Sequence, residues 1–211
     1  MVKRTTDVGG LSRKLSAILA TTVMLSLGTQ ANEVYVEQVG SGSTINITQD
    51  GTDNRIGDVG TPAFIGSGTN TVTIDQIGST NVLDMVVNGA GTDVTVSTTG
   101  DNNTQTINCG TTQSAGCGGS VITTTIAGDS NTTTQDLGAG ANHTSTMNIT
   151  GDNNAVTHTS TATGTTSADI TVSGNTNTVG VTQSGMLNKS VTVTSTGNSN
   201  TVNITDRKSV V

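Results

Sequence analysis

Apolar and small polar residues alternate along this chain in short runs. Asn70, Val72, Ile74 and Gln76 fall on one side of such a run, and Asn177, Val179, Val181 and Gln183 on one side of another, with Thr, Asp or Gly between. A period of two predicts β-strand. The same phase groups Ser43, Ile45, Ile47 and Gln49, then Asn81, Leu83, Met85 and Val87, and finally Asn200, Val202 and Ile204 as inward positions. No single run is long enough to bury its apolar side, so successive runs must stack.

Between the runs a G-x-x-N tag recurs, at Gly51/Asn54, Gly78/Asn81, Gly100/Asn103, Gly128/Asn131, Gly151/Asn154, Gly174/Asn177, Gly185/Asn188 and Gly197/Asn200. Successive glycines are 27, 22, 28, 23, 23, 11 and 12 residues apart. The unit is therefore about 11 residues, read in pairs. This predicts an all-β fold, a β-solenoid of stacked strand-turn-strand rungs with about 22–23 residues per rung. Seven to eight rungs at about 4.8 Å make a rod of roughly 35 Å. Glycine suits the turn because it takes positive φ without a Cβ clash, and asparagine tolerates the same geometry. The two long intervals place loops around Pro62 and Phe64 and around Cys109 and Cys117. Residues 155–168 carry Val156 and little else apolar, which leaves a loose rung, a bulge or a loop open, and the phase shifts between Asn188 and Val191.

The inward phase holds amides as well as aliphatics. A lone buried amide costs about 1–3 kcal/mol when unsatisfied, but one repeated at the same place in every rung can bond its neighbours as a ladder. The asparagines expected to stack are Asn54, Asn81, Asn103, Asn131, Asn154, Asn177, Asn188 and Asn200.

Composition narrows the class. Only 31% of residues are hydrophobic and 1% aromatic, too little for a thick globular core. Disorder of such polarity would carry high charge and no pattern, yet 11% of residues are charged and the apolar ones keep phase. A net charge of −7 argues against nucleic acid as a partner. Lys3, Arg4, Arg13 and Lys14 precede an apolar run from Leu15 to Leu27 that is too short to span a bilayer, and small residues follow. This layout predicts a secretory signal peptide over 1–31, a repeat domain over 32–206 and a basic C-terminal tail over 207–211, with no membrane insertion after cleavage. Export to an oxidising compartment makes a Cys109–Cys117 disulfide the expected state of the two cysteines. Arg207 and Lys208 are expected to discourage strand pairing at their end.

Three segments spell Q-x-G-x-x-N: Gln49–Asn54, Gln76–Asn81 and Gln183–Asn188, and Ser43 opens the first of these repeats. They resemble the curlin repeat, loosely over residues 34–206. The resemblance implies a secreted subunit of a bacterial surface amyloid fibre, used in biofilm matrix and adhesion. It implies that Gln49, Gln76 and Gln183 are stacking glutamines, and Asn54, Asn81 and Asn188 stacking asparagines. It also implies the chain itself as partner in an end-to-end homopolymer, with a nucleator or secretion apparatus beside it. In the middle rungs Thr98, Ile126 and Ile149 stand near the glutamine's place.

No motif of catalytic or nucleotide-binding type occurs. His158 falls in the inward phase with Asn154 and Val156, where a core position is expected, and the other histidine is His143. Asp101, Asp129 and Asp152 follow tag glycines but lack the spacing of a calcium-binding roll. The expectation is therefore no enzyme, no cofactor and no metal. A monomeric β-solenoid adhesin, or an ice- or surface-binding module using outward Thr columns such as Thr71/Thr73, Thr132/Thr134, Thr144/Thr146 and Thr192/Thr194, is the alternative function.

Overall fold

The structure, a computed structural model, describes residues 32–57, 63–66, 68–109, 117–138, 142–174, 176–185, 188–197 and 199–207. The expected signal peptide over 1–31, Pro62, and all of the expected C-terminal tail except Arg207 lie outside them. Among the described residues fifteen strands form two parallel sheets, and the chain alternates between the sheets at every step. One sheet has eight short strands. These are β1 (Glu37–Val39), β3 (Ala63–Gly66), β5 (Met85–Asn88), β7 (Ile107–Cys109), β9 (Gln135–Asp136), β11 (His158–Ser160), β13 (Thr182–Gln183) and β15 (Thr205–Asp206). The other sheet has seven longer ones: β2 (Thr44–Gln49), β4 (Thr71–Gln76), β6 (Asp93–Thr98), β8 (Val121–Ile126), β10 (His143–Ile149), β12 (Thr166–Val172) and β14 (Lys189–Ser195). The chain is a β-solenoid of about seven turns.

Register explains why the uneven intervals do no harm. Thr44 pairs with Thr71, Thr71 with Asp93 and Asp93 with Val121, so neighbours stay aligned across intervals of 27, 22 and 28 residues. The extra residues sit in corners. Phe64, expected in the first loop, instead lies within β3 opposite Glu37 and Val86. Cys109 and Cys117 are disulfide-bonded across the second insert, with Cα atoms 5.2 Å apart. Closing so short a loop stabilises by less than about 3 kcal/mol.

Inward columns carry the core. Ile47, Ile74 and Val96 stack in one column and Val72, Val94 and Ile122 in the next, all buried. The aliphatic interior falls into two clusters, one from Ile47 to Leu137 and one from Ile126 to Val181. Between them the columns turn polar: Thr124, Gln135, Ser145, His158 and Ser160 are all buried. Residues 155–168 prove to be a rung, since β11 pairs with both β9 and β13 and Val156, His158, Ser160 and Ala162 point inward. Its small inward side chains are why the alternation was hard to see in the sequence.

Candidate functional site

Each rung turns two corners, and they have different chemistry. At the tag corner, the chain leaves the long strand and enters the short one. Asn81 Nδ2 donates to Asn54 Oδ1 at 2.6 Å, Asn103 to Asn81 at 2.6 Å, Asn131 to Asn103 at 2.7 Å and Asn154 to Asn131 at 2.6 Å. Asn177 continues the column onto Asn154, and Asn200 lies against Asn177 and Ser195. Every asparagine of this column from Asn54 to Asn177 also donates to the carbonyl of its own tag glycine. Both amide hydrogens and the oxygen are thus used, which is how side chains this polar are buried at almost no exposure.

Sequence reasoning missed one member of this corner. Asn32 is buried beside Gly51 and donates to Asp50 O at 3.2 Å, 22 residues before Asn54. The spacing was visible, but the preceding glycine stands at Gly28 and breaks the tag.

Two expected members do not belong. Asn188 is exposed and precedes β14 at the second corner, where its φ of 65° matches Gly42 (74°), Gly91 (71°), Gly119 (75°) and Asn142 (67°), each preceding a long strand. Its G-x-x-N tag is a half-period coincidence. Gln183 lies on β13, opposite Ser160 and Asp206 in the eight-stranded sheet. Gln49 and Gln76 lie opposite each other in the seven-stranded sheet, with Gln76 Nε2 donating to Gln49 Oε1 at 3.0 Å and to Arg55 O at 2.7 Å. Their column continues through Thr98, Ile126, Ile149 and Val172. The glutamine ladder is therefore two residues long.

Gly51 and Gly185 have the positive φ expected of a tag glycine, but the other six have another role. Gly78, Gly100, Gly128, Gly151, Gly174 and Gly197 do not have positive φ. A Cβ on any of them would overlap the carbonyl oxygen of the tag glycine one rung before. Glycine is required there by the close approach of successive backbones, while positive φ falls just after the tag asparagine, at Val82, Thr104, Thr132 and Ala155, and at the second corner.

The polar stretch of the interior is bridged from sheet to sheet. Gln135 Nε2 donates to Thr124 Oγ1 at 2.6 Å, and Ser145 Oγ donates to Gln135 Oε1. Gln105 reaches across to Thr98 in the same way. His158 is less well served: neither ring nitrogen makes a well-formed hydrogen bond, and the Gln183 amide stands beside it as its hydrogen-bonding neighbour. Burial lowers its pKa to about 4, with His143 adding to the effect and Gln183 opposing it. Asp84 is shifted the other way, raised by desolvation and partly restored by Arg55. Among the described residues no three His, Cys, Asp or Glu side chains gather as a metal-holding group. No described helix is long and apolar enough to cross a membrane.

Among the described residues nothing covers either end of the stack. Val202 and Ile204, inward in phase, are 42% and 50% exposed with no described rung after them, and Val34, Val36 and Ile45 are only partly buried at the other end. At the C-terminal end Lys189 Nζ donates to Asp206 Oδ1 at 2.9 Å and to Arg207 O at 2.8 Å. This pair bridges the last strands of the two sheets.

The ladder predicts a position-dependent cost. Asn131→Ala should destabilise the protein by about 2–3 kcal/mol, since Asn103 Oδ1 and Asn154 Nδ2 each lose a partner in a dry corner. Asn200→Ala, at the exposed end, should cost less than about 1 kcal/mol. Urea denaturation of both variants checks this, and equal costs would contradict the ladder.

No protein-family model matches the chain, and neither a curated protein nor a solved structure does so.

Proposed function

We propose that the protein is a secreted, non-enzymatic structural subunit that assembles end to end into curlin-like cross-β fibres. The observation that carries this reading is the open end of the stack. Val202 and Ile204 lie in an inward column with no described residue over them, on a rung whose outer backbone edge has no strand partner among the described residues. Another copy's first rung offers the complementary edge, with Val34, Val36 and Ile45 half covered and Asn32 at the tag corner. Docking gains backbone hydrogen bonds at about 1 kcal/mol net each and buries the aliphatic ends. The hydroxyl-rich flanks and the charge of −7 resist lateral clumping, which favours thin fibres.

Introducing charge at that end tests the reading. Val202→Asp with Ile204→Asp should leave the folded monomer intact, because both positions are half exposed, and should slow fibre elongation at least tenfold. Unchanged elongation would overturn end-to-end docking.

A second reading has its own observation. The outer face of the seven-stranded sheet carries Asn46, Thr73, Thr95, Thr123, Thr146, Asp169 and Thr192 in one unbroken column. Thr48, Asp75, Ser97, Thr125, Asn148, Thr171 and Thr194 form the next. Such a regular hydroxyl array suits surface or ice binding by an isolated solenoid. Thermal hysteresis in the monomer, lost in Thr95→Lys plus Thr146→Lys, is the result that would favour it.

A further inference from the structure

The two sheets end unequally. The described chain makes fifteen arms and starts and finishes in the same sheet, which gives eight strands on one side and seven on the other. At the N-terminal end β1 stands one arm beyond β2, and at the C-terminal end β15 stands one arm beyond β14.

This parity constrains any joint between copies. A second copy added in the same orientation brings its β1 over β15, but no strand comes to lie over β14. One strand position of the seven-stranded sheet is then empty at every joint, and the open edges of Lys189–Ser195 and of the second copy's Thr44–Gln49 both stay unpaired. Those are the longer edges: β14 pairs with β12 over seven residues, whereas β15 pairs with β13 over two. An in-register joint thus leaves the longer of the two open edges unpaired.

A half-turn of the second copy about the solenoid axis removes the gap. Its β1 becomes the sixteenth arm and lies on β14, and its β2 lies on β15. The two arms of a rung run in opposite directions and a half-turn exchanges them, so pairing across the joint stays parallel, as it is everywhere within the chain. Aliphatic columns still meet aliphatic ones: Val34 and Val36 come over the strand holding Val191 and Val193, and Ile45 and Ile47 over the arm holding Val202 and Ile204. The sacrifice is the contact of Asn32 with Asn200, one amide bond against several backbone bonds of about the same worth.

We infer that successive copies in the fibre are related by a half-turn, with a rise of seven and a half rungs, about 36 Å. This rests on the proposed fibre, on removal of residues 1–31 at export and on β15 being the last arm of the subunit. Helical reconstruction by electron cryomicroscopy of fibres grown from the exported protein tests it. The expected result is a rotation per subunit near 180°, offset only by the twist of the stack, and a rise of about 36 Å. A rotation near zero with a rise of eight rungs, about 38 Å, and a missing strand at each joint would overturn the half-turn while leaving the fibre standing. A chain that forms no fibres would overturn both.

Discussion

Gly151→Ala is expected to unfold the middle of the solenoid, at a cost of about 3 kcal/mol or more. A Cβ at this position would overlap the carbonyl oxygen of Gly128 and stand 2.9 Å from Asn131 Nδ2. Neither neighbour can give way. The Gly128 carbonyl accepts from Asn131, and the Asn153 amide donates to Asp129 O at 2.8 Å in the same corner, so a shift would break the asparagine column and the backbone pairing together. Gly119→Ala is the control. A Cβ there meets nothing closer than Gly91 N at 3.9 Å, and only the positive φ of 75° opposes it, worth roughly 1–2 kcal/mol. Thermal or urea denaturation of the two variants separates crowding from backbone conformation. If Gly151→Ala unfolds no more readily than Gly119→Ala, rung-to-rung approach is not what selects glycine at the tag.

Acid should weaken the protein between about pH 6.5 and pH 4 by about 3 kcal/mol through His158 alone. Burial depresses the folded-state pKa of this histidine to about 4 from an ordinary 6.5. The unfolded chain therefore takes up the proton first. Stability from the neutral, buried ring is complete above the unfolded value, falls as the pH drops through the window, and changes no further below the folded value. His158→Gln should flatten this part of the pH profile, because an amide stays neutral throughout. Chemical denaturation of both proteins at pH 7, 5.5 and 4.5 measures the difference. Parallel profiles for the two would show that His158 does not carry the acid response.

Much of this architecture was legible in the sequence because stacking makes the same demand at every turn. Alternation at Val72/Ile74 and at Val179/Val181 gave the inward phase, and the glycine intervals gave the rung length, with their excess residues placed in corners. What resisted reading has physical causes. Both arms of a rung have similar length, so a tag can recur at half the period, and Gly185/Asn188 looks like the others while standing at the opposite corner. The same ambiguity grouped Gln183 with Gln49 and Gln76 although it lies in the other sheet. The bridges Gln135–Thr124 and Ser145–Gln135 join strands across the interior, a relation that local alternation does not encode. The tag glycine was recognised, but from Gly78 to Gly174 and at Gly197 its cause was misassigned, because crowding against the previous rung exists only once the rungs are stacked.

The claim that the rungs of one copy continue into the next is tested most directly by fibre diffraction from the purified protein after prolonged incubation at neutral pH. The account predicts thin, unbranched fibres with a meridional reflection at about 4.7–4.8 Å, the spacing between stacked strands along the fibre axis. A chain that stays folded and monomeric at high concentration over days, with no such reflection, would contradict it.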